Sequence, residues 1–124
     1  MTCVVCACSC YFFGRDVFEA LNGSVPIGLI SNNWGGTCLQ EWFSAPDSCG
    51  IKATPILYNA MIVPYLQGPM ALTGFLWSQG ECNADANQTA YYACAFAPFI
   101  DGWRQQFGVP DAFFGFELLP AYIS

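Results

Sequence analysis

Gln79, Gly80, Glu81 and Asn83 crowd into one short run. Two side-chain amides bring N–H donors, a carboxylate brings charge, and a glycine lets another group approach the backbone. Such groups can hold a sugar or stabilise negative charge on a carbonyl oxygen under attack. A second cluster, Trp34-Gly35-Gly36-Thr37, stands just ahead of an expected helix start. Free N–H groups point outward there and can hold an anion or an oxyanion. Each cluster also has a plain structural reading: a strand-to-helix loop for the first, a tight turn needing glycine for the second.

Elements must position these clusters. Leu72, Phe75, Leu76 and Trp77 read as a strand buried on both faces, as in a parallel sheet. Ligands in such folds sit where strands end and loops begin. The run 25–31 reads as another strand, with Pro26 at its start. Thr37 and Gln40 fit a capping box, opening a helix that runs to about Phe43. Tyr11 to Leu21 reads as a helix with a buried stripe of Phe13, Val17 and Leu21, closed by Asn22-Gly23. Tyr58 to Val63 forms a short helix limited by Pro64. Asp85 and Gln88 make a second capping box before a long helix with Tyr92, Phe96, Phe99, Ile100, Trp103 and Phe107 on its core face. Pro98 is expected to kink or split that helix near Phe96. Phe113 to Leu119 is a third strand. The alternation favours an α/β fold with a parallel sheet.

With 124 residues the chain is one domain, and 55% hydrophobic against 10% charged residues argues against disorder. A net charge of −6 disfavours nucleic acid and anionic lipid as partners. Histidine is absent, which excludes Ser-His or Cys-His catalysis by this chain alone. Prolines and polar residues interrupt the long uncharged stretch between Lys52 and Glu81, so no membrane span is expected. Eight cysteines favour an oxidising compartment, and the sequons Asn22-Gly-Ser24 and Asn87-Gln-Thr89 agree. Cys3 and Cys6 form a C-x-x-C pair, but no second pair matches it, so no metal site is assigned. No signal peptide is visible in Met1 to Cys10. Trp34, Trp42 and Trp77 can stack on sugar rings, although core packing is the favoured role of such large aromatics.

At these motifs the sequence resembles the sialate O-acetylesterase family, within the SGNH-type esterases. The matching pieces are Cys10-Tyr-Phe-Phe-Gly-Arg15, Pro26-Ile-Gly-Leu-Ile30, Ser31-Asn-Asn-Trp-Gly-Gly-Thr37, Leu57-Tyr-Asn-Ala-Met-Ile62, Gly74-Phe-Leu-Trp-Ser-Gln-Gly-Glu81 and Trp103-Arg104. The resemblance implies a three-layer α/β/α, flavodoxin-like parallel sheet, here incomplete. It divides the chain into an atypical Cys-rich terminus, 1–9, and a partial esterase domain, 10–124. It implies hydrolysis of O-acetyl esters of sialic acids through a serine nucleophile and a histidine near the C-terminus, with no cofactor. Gly35 and Gly36 fall at the family's oxyanion-associated motif, with Trp34 and Thr37 as substrate contacts. Gln79, Gly80, Glu81 and Asn83 fall at the next site-lining motif: Gln79 and Asn83 as oxyanion or lining groups, Gly80 against substrate, Glu81 orienting its neighbours. The implied ligand is O-acetylated sialic acid or a related acetylated sugar, and the implied location is secreted or lysosomal.

The departures from the family pattern are equally plain. No nucleophile motif is present: Ser9 stands among cysteines without an elbow, and Ser31 and Ser78 are expected to satisfy local backbone. The family's Asp-x-x-His segment is also missing. The expectation is a carbohydrate-esterase fragment with the oxyanion loops but neither attacking group nor base. The alternative is a non-catalytic carbohydrate-binding or interaction module on the same fold. A sheet lacking its first strand would leave an unpaired edge at its centre.

Overall fold

Gly74–Trp77 forms the strand that the rest packs around, because alternate side chains leave it in opposite directions. Phe75 and Trp77 turn to one side and Leu76 to the other. The computed structural model describes residues 2–4, 7–43, 49–68 and 71–119. Among these, the elements in chain order are β1 (Thr2–Val4), α1 (Ala7–Ala20), β2 (Ile30–Ser31), a 3-10 helix (Leu39–Trp42) and a π-turn (Tyr58–Ile62). Then come α2 (Val63–Leu66), β3 (Gly74–Trp77), a 3-10 turn (Glu81–Asn83), α3 (Thr89–Gln106) and β4 (Phe113–Phe116).

The strands form a 4-stranded sheet in the order β2-β1-β3-β4, and every pairing is parallel. Thr2–Val4 therefore occupies the centre of the sheet, paired with both β2 and β3. The empty centre expected from sequence is filled.

α3 covers one face. Phe99 and Trp103 lie against Trp77 at ring-centroid distances of 4.6 and 5.9 Å, and Phe75 meets Trp103 at 5.6 Å. These rings are buried, with Leu39, Trp42 and Ile62 completing the core. Burying so many aromatic rings in edge-to-face and tilted contacts is the main stabilising contribution available to a chain of this size. α1 lies on the Leu76 side, where Ser9, Phe13 and Leu76 line a common hollow. Helices thus flank a parallel sheet, the α/β/α arrangement.

Several local expectations shift. Val25–Leu29 is not strand: β2 is Ile30–Ser31, aligned with Thr2 and Cys3, while Val25 and Leu29 are exposed. Pro26 has no N–H to give and Gly28 no side chain to pack, so the run walls a hollow of about 380 Å³ instead. Phe13 and Val17 in α1 are half-buried, but Leu21, just past the end of the helix, is 40% exposed. The helix ends as expected, with Asn22 and Gly23 at φ 52° and 65° and Gly23 N–H donating to Phe18 O.

Pro64 does not stop the central helix. The backbone widens into a π-turn before it, in which Val63 N–H donates to Tyr58 O, and α2 continues through the proline. Pro98 does not split α3 either. It sits on the exposed face, where water can satisfy the carbonyl its missing N–H leaves free. The helix start near Thr37 shifts by one residue: Cys38 is the cap, and its N–H donates to Glu41 Oε1 at 2.9 Å. Cys38 is disulfide-bonded to Cys82, and Cys49 to Cys94. No helix among the described residues is long and apolar enough to cross a membrane.

Candidate active site

Both clusters leave the C-terminal ends of parallel strands that flank β1. The Trp34–Thr37 turn follows β2, and the Gln79–Asn83 turn follows β3. They meet. Gln79 Nε2 donates to the Thr37 carbonyl at 2.9 Å and to Asn83 Oδ1 at 3.1 Å. With two acceptors facing this nitrogen, the amide orientation is fixed, since flipping it would set oxygen against oxygen. Gln79 Oε1 is left buried without a partner.

Asn83 is the hub. It is 2% exposed and its side chain makes every hydrogen bond an amide can carry. Oδ1 accepts from Leu39 N–H at 2.9 Å and from Gln79 Nε2. Nδ2 donates to Gln40 Oε1 at 3.1 Å and to Gln88 Oε1 at 2.8 Å. One side chain thereby joins the 3-10 helix after β2, the turn after β3 and the start of α3. The expected capping box moves off the helix: Gln88 is the cap residue of α3, while Asp85 closes the turn before it, accepting from Gln88 N–H at 2.9 Å, and Gln88 turns its own side chain to Asp85 and Asn83.

These bonds limit what the amides can do. The N–H groups of Gln79 and Asn83 already face protein acceptors, so they line and brace the site without a donor to offer. Free donors lie elsewhere. Gly35 and Gly36 are exposed, and their N–H groups have no acceptor among the described residues. Gly36 has φ 76°, and Thr37 Oγ1 donates to Trp34 O at 2.8 Å, closing the turn. Trp42 Nε1 donates to the same hydroxyl at 3.1 Å.

Gly80 needs to be glycine: its φ is 153°, and a Cβ would stand 2.9 Å from Leu119 Cδ1. Glu81 is exposed and its carboxylate makes no hydrogen bond or ion pair among the described residues. Its charge is felt at Tyr92. Burial first, and then Glu81, push the Tyr92 phenol up from its ordinary value, while the hydrogen bond from Trp77 opposes them. That phenol donates to Gln79 O at 3.0 Å and accepts from Trp77 Nε1 at 3.1 Å.

The tryptophans separate. Trp42 and Trp77 are each 1% exposed in the core, which removes them as sugar platforms. Trp34 is 65% exposed beside the glycines. A pocket of about 430 Å³ opens on the other side of Gln79, Gly80 and Asn83, walled by Tyr92, Phe96 and Phe116. Trp34, Gly35, Gly36, Thr37 and Glu81 do not line it. Of the serines, Ser9 lies half-buried in α1. Ser31 Oγ accepts from Asn33 Nδ2, and Ser78 Oγ donates to Glu117 Oε2 at 2.6 Å, so both meet side chains rather than local backbone.

Sequence reasoning missed Gln40, Gln88, Tyr92 and the Cys38–Cys82 link. The last had a visible signal: one cysteine directly follows Thr37 and the other directly precedes Asn83.

The family model described as "Carbohydrate esterase, sialic acid-specific acetylesterase" matches residues 4–118. The sialate O-acetylesterase of Pongo abelii is 36% identical over 131 aligned residues, which take in 89% of this chain and 24% of the relative. The Homo sapiens protein of the same name is 35% identical with the same coverage. The crystal structure of a carbohydrate acetylesterase from Xanthomonas citri superposes with a TM-score of 0.73 at 33% identity, over 86% of this chain and 24% of that one. The chain thus spans about a quarter of the length of these relatives. A match running from β1 to beyond β4, through both site clusters, means that the chain belongs to the sialic acid-specific acetylesterase family of carbohydrate esterases.

Proposed function

We propose that these residues form the oxyanion-side frame of an O-acetylesterase site for acetylated sialic acid or a related acetylated sugar. The reaction is acyl transfer to a serine followed by hydrolysis. Gly35 and Gly36 N–H groups receive the developing oxyanion. Thr37, Gln79 and Asn83 hold that turn in place, Gly80 admits the close backbone approach, Glu81 orients or contacts the sugar, and Trp34 covers its apolar face. The observation that carries the reading is the 2.9 Å bond from Gln79 Nε2 to the Thr37 carbonyl, which draws both clusters to one end of the sheet. A backbone oxyanion donor contributes about 3–4 kcal/mol to such a reaction. Disulfides at Cys38–Cys82 and Cys49–Cys94 support a secreted or lysosomal location.

The chain has no histidine, so an imidazole base cannot come from these residues. Purified chain incubated with an acetyl ester is expected to show no turnover. Turnover that survives substitution of every serine but is lost in Glu81→Gln would overturn the assignment.

A second reading rests on the exposure of Trp34 beside a turn with free N–H groups: a module that binds acetylated sugar without cleaving it. Saturable binding of O-acetylated sialic acid that persists without turnover when the chain is joined to a serine- and histidine-bearing partner segment favours that reading. Turnover in the joined protein favours the esterase.

A further inference from the structure

The Cys38–Cys82 disulfide lies inside the site. Cys38 follows Thr37, whose carbonyl accepts from Gln79, and precedes Leu39, whose N–H donates to Asn83. Cys82 sits between Glu81 and Asn83 in the 3-10 turn. One covalent link therefore ties the same two backbone segments that the Gln79 and Asn83 amides tie by hydrogen bonds. A further disulfide, Cys49–Cys94, joins a loop to α3, and its two cysteines stand outside both clusters in the sequence. Little else pins the glycine turn. Among the described residues, chain neighbours aside, no atom lies within 4 Å of where a Cβ would stand on Gly35 or Gly36, and the Thr37 hydroxyl bonds there within its own segment, to Trp34 and Trp42.

We propose that Cys38 and Cys82 are positioning residues whose disulfide holds the Gly35–Gly36 turn against the Gln79–Asn83 loop, and that its reduction by a thiol separates the two loops while the sheet stays folded. The significance of this for catalysis rests on the function proposed above; the coupling itself does not. Both cysteines are half-buried, within reach of a small thiol. A thiolate attacks one sulfur, the S–S bond breaks, and the other cysteine leaves as a thiolate and takes a proton. A second thiol attacks the mixed disulfide and releases the remaining cysteine. Two small-molecule thiols supply the two electrons and two protons and depart as their own disulfide.

The test compares the full chain with Cys38→Ser/Cys82→Ser and, as control, Cys49→Ser/Cys94→Ser. NMR reads hydrogen exchange at Leu39 N–H and the side-chain amide signals of Gln79 and Asn83, with the β3 amides reporting on the fold. The site-pair variant is expected to exchange Leu39 at least about tenfold faster and to move both amide signals, with β3 protection kept. The control is expected to leave Leu39 and the amide signals in place. Unchanged Leu39 exchange and amide signals would overturn the proposal. So would loss of β3 protection together with them, since the link would then be a staple of the whole fold. Should the variant fail to fold, graded thiol reduction of the native chain gives the same readings against the fraction of Cys38 and Cys82 freed. No sugar enters this experiment, so failure to bind acetylated sialic acid counts against the function and not against the link.

Discussion

Asn83 shows how a residue can be legible as important while its role is not. Its type and its place after Gln-Gly-Glu mark it as a candidate site residue, but only the fold reveals that all four of its hydrogen-bonding positions are occupied. Replacing it by leucine, of similar size, leaves the Leu39 N–H buried without an acceptor and strands three amides. Asn83→Leu should cost about 2–4 kcal/mol, read as a lower urea midpoint. Gly35→Ala, with open space around the new methyl, should leave that midpoint nearly unchanged. Tyr92 makes a pH prediction. Its phenol is raised above the ordinary value of 10.0, mainly by burial. The folded state then holds its proton after the unfolded state has released it. Stability is therefore full below about pH 10 and falls as pH rises from there through the folded value. Alkaline denaturation of Tyr92→Phe should show a shallower loss over that window, and an unchanged slope would contradict the assignment.

At the scale of elements, periodicity located the helices well and their punctuation less well. The core face of α3 was plain from Phe99 and Trp103, and the α1 ending from Asn22-Gly23. Proline misled twice, because its cost depends on which face it occupies and on whether the preceding backbone can widen, and neither is written in local sequence. The 25–29 run misled because an apolar stretch without a partner strand does not become strand. Disulfide pairing was legible only as a hint, from Cys38 and Cys82 adjoining the two clusters, since cysteine spacing does not determine connectivity. Cys49 and Cys94 are separated by 45 residues, and closing a loop of that length removes about 4 kcal/mol of unfolded-state entropy in the chain model. Cys49→Ser/Cys94→Ser should lower the thermal midpoint accordingly, by differential scanning calorimetry, while leaving the Gln79–Thr37 contact intact.

For the molecule as a whole, the α/β class and the placing of both candidate clusters at strand ends were readable from strand–loop order, because parallel sheets bring strand ends to one edge. The composition of the sheet was not, since Thr2–Val4, in the stretch set aside as an atypical terminus, supplies an inner strand. β4 is an edge strand among the described residues, and Phe113 and Phe116 on it are 53% and 50% exposed. Flat apolar edges associate. Phe116→Lys should reduce concentration-dependent light scattering, and an unchanged profile would remove the edge as its source. The most direct test of the central claim is an NMR titration of the chain with O-acetylated sialic acid, following the backbone amides of Gly35 and Gly36. A saturable shift at both glycines, abolished in a variant where Gln79→Leu no longer braces Thr37, is the predicted result. Saturable binding that leaves both glycine amides unmoved would contradict the account.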